Sequence, residues 1–301
     1  MVQAANRTRI CVLKDFDAIS PFLIHKLNQS TEYELWHQRL MHPGETCMSH
    51  MDKCTAGVPH LSRHPMHNCR ICDEMNVTKK SSRANPPTKI TKFGEQFQMD
   101  FGFMSAKVNN QLITSHDGYK CYLLIVDIFT MYLWVFLSKN KYHPIKVTIQ
   151  FLRTYGNKEG TRIVQTDQGG ELARSALFRK TIQDTSYSIE ITGSDNSSQN
   201  GAAERPHCTL ENMVRASLET SNLPLKNWSD ALLHASFIKN RLPHYKFQFK
   251  HTPYEKLTGI TPDLSNLRVF GSMIVTRRPG RRTTNLTKHS YTGIFCDTRK
   301  R

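Results

Sequence analysis

Apolar and polar positions change rhythm several times along the chain, and each change marks an element. "STEYELWHQRLMHPG" (30–44) reads as a short helix, capped by Ser30 or Thr31, with glutamates in its first turn and Pro43–Gly44 as its stop. Strand-like segments then follow: "EQFQMDFGFM" (95–104), "YKCYLLIVDIF" (119–129) and "YLWVFL" (132–137), the last pairing with the one before it. A helix is predicted over 143–157, a fourth strand at "TRIVQTD" (161–167), a helix over about 171–182, and a fifth strand at "YSIEIT" (187–192). "NGAAERPHCTLENMVRASLETS" (200–221) and "KNWSDALLHASFIKNRL" (226–242) are longer helices. Three strands followed by alternating helices and strands predict a mixed α/β sheet. "RVFGSMIVTRR" and "SYTGIFCD" return to β character near the end. Residues 1–29 show little periodicity and read as a leader, and "KKSSRANPPTK" (79–89) reads as a basic, proline-containing linker.

Composition narrows the class. The 301 residues are 38% apolar, enough for one large or two small domains, and no apolar run approaches the length of a membrane span. "MVQAANRTRICVLKD" is too polar for a signal peptide, so the eight cysteines are expected to be reduced thiols or metal ligands. The net charge of +16 is unevenly spread: +4 over 1–99, +2 over 100–240 and +10 over 241–301. A near-neutral middle with a basic end, centred on "TRRPGRR" (276–282), predicts a polyanionic partner, and nucleic acid is the commonest.

Candidate chemistry begins with acids. Asp100 lies within the first strand of the sheet, between aromatic and apolar neighbours; Asp167 ends the fourth strand, just before Gln168 and two glycines; Glu204 lies near the start of the long helix. A mixed sheet can bring two strand positions and a helix start to one point. Clustered carboxylates are tolerated when a divalent cation neutralises them, and a pair of such ions can serve phosphoryl transfer. Spacing alone does not separate these three from Asp127, Glu171 and Asp195. Pro206, two residues after Glu204, predicts that the helix begins near 203–205 or kinks there. Farther along, Cys208, Glu211 and Arg215 share one face, a candidate DNA-contacting surface; Ala203, Leu210 and Val214 share another, the expected core face.

His37, His42, Cys69 and Cys72 form the second constellation. Cys-x2-Cys places two thiolates on one tight turn, which suits tetrahedral zinc. The two histidines are five apart and share no helical face, but His42 precedes Pro43, should leave the helix, and can fold back toward His37. Four ligands would close the shell and make the site structural. Cys47, Cys54, His50, His60, His64 and His67 lie between the two ligand pairs, and a four-cysteine site using Cys47 and Cys54 is the alternative.

The blocks "LWHQRLMHPG", "CRIC", "MDFGF", "LLIVDIFTMYLWVF", "TDQGGEL", "SSQNGAAERPHCTLENMVR", "IKNRLPH" and "TPYEKLTGITPDLSNLRVFG" occur in one order. Together they closely resemble the integrase of copia-type LTR retrotransposons, over about residues 33–296. The resemblance implies an RNase H-like catalytic core with a mixed five-stranded sheet, preceded by a small helical HHCC zinc-binding domain. It implies a DDE polynucleotidyl transferase that uses Mg²⁺ or Mn²⁺, two ions at Asp100, Asp167 and Glu204, with one structural Zn²⁺ at His37, His42, Cys69 and Cys72. The expected partners are element cDNA ends and target DNA, met as a homo-oligomer, with host factors unspecified and no membrane. Gln168, where many relatives carry Asn, together with Asn200, Arg205, Arg215, Arg277, Arg278, Arg281 and Arg282, are the expected DNA contacts. Localisation would be nuclear, after cytoplasmic virus-like particles. The expected domains are a leader (1–29), the zinc-binding unit (30–78), a basic linker (79–94), the catalytic core (95–262) and a basic β-rich segment (263–301). With no protease ahead of it and no reverse transcriptase after it, the chain is expected to be a fragment, a truncated copy or a solo product. Rival readings are an inactive, co-opted DNA-binding copy and another RNase H-like transposase or nuclease.

Overall fold

The computed structural model describes residues 9–11, 31–61, 69–75, 90–104, 112–140, 145–157, 160, 162–167, 175–192, 197–277 and 290–297. Five strands form the central sheet: β2 (Gln96–Gly102), β3 (Cys121–Asp127), β4 (Leu133–Ser138), β5 (Ile163–Asp167) and β6 (Ser188–Thr192). Their order is β4-β3-β2-β5-β6. β2, β3 and β4 run antiparallel, whereas β5 joins β2 in parallel and β6 joins β5 in parallel, which is the mixed five-stranded sheet expected from the sequence. β3 sits second from one edge and is buried along its whole length, which explains its continuous apolar run.

Strand alternation divides the interior in two. Phe97, Met99, Phe101, Cys121, Leu123 and Ile125 point to one face and pack with α5 (Ile145–Tyr155) and α6 (Ala176–Asp184) through Phe151, Leu152, Phe178 and Ile182. Tyr122, Leu124 and Val126 point to the other face. There they meet α7 (Ser197–Ser221) and α8 (Trp228–Lys239) through Leu210, Val214, Trp228 and Leu232. Four short helices precede the sheet: α1 (Glu32–Arg39), α2 (Glu45–Met48), α3 (Met51–Cys54) and α4 (Arg70–Met75). Trp36 of α1, Leu40 and Met41 just after it, Met48 and Met51 belong to this second cluster, so the small unit and the α7 face share one core.

Thr31 caps α1 in a capping box: its hydroxyl accepts from the Glu34 N–H, and the Glu34 carboxylate accepts from the Thr31 N–H at 2.8 Å. After α8 come α9 (Pro253–Thr258) and two strands, β7 (Met273–Arg277) and β8 (Ser290–Asp297).

Two sequence expectations need correction. Residues 9–11 are not a featureless leader: Arg9–Cys11 form β1, which pairs antiparallel with β8 and completes a three-stranded sheet. Three residues are too short to show a period, and the partner strand lies at the other end of the chain. The long helix begins at Ser197 rather than near 203–205, with Pro206 inside it. Proline there removes one backbone donor, and the helix runs on for fifteen residues to Ser221.

Candidate active site and metal centre

Asp100 occupies an even position of β2, opposite Leu124 of β3, and so lies on the sheet face covered by α7. The parallel pairing of β2 and β5 runs as far as Gln98 beside Gln165, and Asp100 and Asp167 each lie two residues beyond that last pair. Asp100 is partly exposed; its Oδ1 accepts from the Phe101 N–H at 2.7 Å, and its Oδ2 lies 3.6 Å from Nε2 of His207. His207 is on α7, one helical turn beyond Glu204, and this contact brings that part of the helix to the end of β2. Asp167 and Glu204 are placed by their backbones.

His207 and Tyr122 were not legible as site residues. The buried His207 bonds through Nδ1 to the Tyr122 hydroxyl at 3.0 Å. Burial pushes its imidazole down to about 4, and burial raises the Tyr122 phenol, with Glu211, Asp100 and Cys208 acting in the same direction. Gly102 makes room for this arrangement: a Cβ there would run into the Tyr122 ring. The one available sequence signal was Glu204-x-x-His207, a spacing that stacks two side-chain positions on one helix face.

Asp127, which spacing left among the candidate acids, has a different role. It is fully buried and accepts from the Gly94 N–H, the Thr130 N–H and the Thr130 hydroxyl, holding the β3–β4 turn; burial raises its pKa against those bonds. Glu171 and Asp195 lie outside the described residues.

The second constellation converges. One ligand atom from each of His37, His42, Cys69 and Cys72 lies within 4.8 Å of all the others. His37 Nε2 is 3.1 Å from Cys72 Sγ, and His42 Nδ1 is 3.5 Å from Cys69 Sγ and 3.7 Å from Cys72 Sγ. Tetrahedral zinc with ordinary Zn–N and Zn–S bonds spaces nitrogen and sulfur about 3.6 Å apart, so the four residues fit that ion. The chain reaches this geometry by reversing after α1. Met41 and His42 both adopt left-handed backbone (φ 60° and 61°), and the His42 N–H bonds back to the His37 carbonyl at 2.8 Å. Two non-glycine residues in that region cost of order 1–3 kcal/mol each, a strain typical of functional sites.

The His42 tautomer follows from its other nitrogen. The Thr220 hydroxyl donates to the Ala216 carbonyl at 2.7 Å, so toward His42 it accepts, and Nε2–H donates to it at 2.7 Å. Nδ1 therefore presents its lone pair to the sulfurs. Hydrogen bonds from Cys72, then from His37 and His42, pull the Cys69 thiol far down, and Cys72 is pushed up in return. A dication there would deprotonate both.

The intervening residues point elsewhere. Cys47 donates to the Pro243 carbonyl, Cys54 donates to the Phe249 carbonyl, His50 contacts the Thr46 carbonyl, and His60 pairs with Asp52 at 2.8 Å. His64 and His67 lie outside the described residues, so the four-cysteine alternative finds no support among the described ones. A further cluster, unexpected from sequence, sets His116 between Asp117 at 3.0 Å and the buried Asp230 at 2.6 Å. Both ring nitrogens face carboxylates, and the pair of contacts ties the segment before β3 to the first turn of α8.

Of the expected DNA contacts, Arg215 is exposed on α7, with its guanidinium turned back to the Glu211 carbonyl and Asn212. Glu211 is half-buried, which raises its pKa, while Leu210 and Val214 lie in the core as expected. Asn200 and Arg205 are on α7 and Arg277 ends β7 by their backbones. Gln168, Arg278, Arg281 and Arg282 lie outside the described residues.

No family model matches the chain. It is 27% identical over 238 residues to the retrovirus-related Pol polyprotein from transposon RE1 of Arabidopsis thaliana, covering 78% of this chain and 15% of that protein. The Pol polyprotein from transposon TNT 1-94 of Nicotiana tabacum is 26% identical over 276 residues, covering 87% and 19%. The chain is homologous to these Pol polyproteins. It spans less than a fifth of their length. Among solved structures, the HTLV-2 integrase catalytic core domain in complex with magnesium is 19% identical with a TM-score of 0.39, covering 54% of this chain and 95% of that one. The simian T-cell lymphotropic virus intasome with a PP2A regulatory subunit is 17% identical with a TM-score of 0.44, covering 74% and 70%. No helix among the described residues is long and apolar enough to cross a membrane.

Proposed function

We propose that the chain is a retrotransposon integrase of the copia type, a divalent-metal-dependent polynucleotidyl transferase that joins element cDNA ends to target DNA. The observation that carries this reading is the parallel pairing of β2 with β5, which puts Asp100 and Asp167 each two residues past the last shared pair, with Asp100 on the sheet face covered by the helix that bears Glu204. Homology to Pol polyproteins supports it. Asp100, Asp167 and Glu204 would hold Mg²⁺ or Mn²⁺, which when bound supplies charge neutralisation for the attacking and leaving oxygens.

The chain's own residues orient and position. A 3′-hydroxyl of the element DNA forms a new bond to a target phosphorus as the bond to the leaving 3′ oxygen breaks in line. Phosphodiester is exchanged for phosphodiester, so no Ser or Cys nucleophile is needed. Gln168, Asn200, Arg205, Arg215, Arg277, Arg278, Arg281 and Arg282 are proposed to hold DNA. His37, His42, Cys69 and Cys72 are proposed to bind one structural zinc, within a zinc-binding unit of 30–78 ahead of a core of 95–262. The protein would act as a homo-oligomer on DNA in the nucleus, after assembly in cytoplasmic virus-like particles.

The test is strand transfer of terminal-repeat oligonucleotides into plasmid DNA, in Mg²⁺ and in EDTA. The reading expects joined product in Mg²⁺ alone, lost in Asp100→Asn. DNA binding without any transfer in Mg²⁺ would instead identify a non-catalytic remnant.

A further inference from the structure

We propose that His207 is a nitrogen ligand to the divalent cation held at Asp100, which gives the catalytic centre a preference for Mn²⁺ or Co²⁺ over Mg²⁺. The inference rests on the reading of Asp100 as a cation-holding carboxylate and adds a ligand to it.

His207 is 9% exposed. Its Nε2 is buried and has no hydrogen-bond partner among the described residues. That nitrogen faces Asp100 Oδ2 at 3.6 Å. A protonated Nε2 opposite a carboxylate would be expected to close to about 2.8 Å, because such bonds are strong and short. A separation of 3.6 Å is instead what two lone pairs keep. It also lies between the spacings of neighbouring and opposite ligands around one octahedral ion, about 2.9 and about 4.1 Å for bonds near 2.05 Å. A single cation can therefore meet both atoms with small adjustments.

The other ring nitrogen fits the same assignment. Nδ1 is 3.0 Å from the Tyr122 hydroxyl. With Nδ1–H donating to that oxygen, Nε2 keeps its lone pair for the cation. Metal-bound histidines are usually held in this way through their second nitrogen. Tyr122 is fixed on the fully buried strand β3 and lies over Gly102, so the imidazole has little freedom to turn away. Glu204 precedes His207 by three residues on α7. Glu-x-x-His at that spacing presents both ligand types from one helix face in carboxylate-bridged metal proteins. Imidazole favours borderline cations, whereas an all-oxygen set with water suits Mg²⁺.

The experiment uses the zinc-loaded full chain, titrated with Mn²⁺ and with Mg²⁺ by calorimetry, and Mn²⁺ pulsed electron paramagnetic resonance to detect directly bound nitrogen. The wild type should show histidine nitrogen coupling and bind Mn²⁺ on the order of 10-fold tighter than Mg²⁺. His207→Asn should lose the coupling and most of that preference, with Mg²⁺ affinity changed by less than about 3-fold. Absence of the coupling in wild-type protein overturns the proposal whether or not the variant folds. Equal losses for both cations in the variant also overturn it, since His207 would then only position Asp100. Asp100→Asn separates the two levels of inference. Unchanged Mn²⁺ binding there would sink the reading of the acidic site itself. Lost binding there, with no nitrogen coupling in wild type, would sink the His207 assignment alone.

Discussion

The two centres of this chain are built in opposite ways. The His/Cys centre draws its groups from two short helices and a strained reversal, and all four ligand atoms already stand within 4.8 Å. The acidic centre draws its groups from regular elements: two strands 67 residues apart in sequence and one long helix. In the first, an ion would be the organiser, and ligation would offset the backbone strain at Met41 and His42. In the second, the sheet is the organiser, since β2–β5 pairing fixes the two strands that carry Asp100 and Asp167 before any ion arrives. Loss of metal should therefore unmake one centre and merely empty the other.

The largest expected effect tests the second half of that contrast. Asp100→Asn, Asp167→Asn and Glu204→Gln should each cut strand transfer by at least about 10³-fold, the scale of losing a major electrostatic stabiliser. Circular dichroism and DNA binding should stay close to wild type. Glu171→Gln is the control and should transfer normally; a wild-type rate in any one of the three would remove that residue from the site.

Next comes the first half. Atomic absorption should find one zinc per chain, and Cys69→Ser or His42→Ala should lose it and unfold the segment from 31 to 75, because binding free energy there is folding free energy. Native hydrogen exchange in that segment after zinc removal would break the contrast.

A smaller effect is expected at the joint between the centres. Thr220 accepts from His42 Nε2 and so fixes the tautomer of a proposed zinc ligand. Thr220→Val should weaken zinc about 10–100-fold in chelator competition, with Thr220→Ser close to wild type. Equal zinc affinity in the valine variant would show that the metal alone orients the ring.

The smallest effect lies outside both centres. Replacing Arg277, Arg278, Arg281 and Arg282 by alanine should flatten the log–log salt dependence of DNA binding by up to roughly 4 units, equally for all sequences. An unchanged slope would shift the DNA surface toward α7.

What the sequence disclosed follows the same division between local and distant causes. The α1 cap, the five central strands and the return of His42 toward His37 are written in neighbouring residues, and each is found in the structure. β1 pairs with a strand some 280 residues away, which no local pattern records. The Tyr122–His207–Asp100 contacts join β3, α7 and β2, and only packing brings them together. Asp127 resembled the other acids because burial is not visible in a residue's immediate neighbours. The start near 203–205 drawn from Pro206 missed for a related reason: proline opposes helix locally, whereas packing along the rest of α7 supports the helix as a whole.

The His42–Thr220 bond and the shared apolar cluster bear on how this polypeptide can be cut. Trp36, Leu40, Met41, Met48 and Met51 cover the same wall as Leu210, Met213 and Val214. A fragment beginning at residue 90, after the basic linker, would present that wall to water and should precipitate or self-associate, as large exposed apolar patches do. Supplying residues 31–75 with zinc as a separate peptide should restore solubility, which makes the small unit a detachable lid over the greasy side of the larger one.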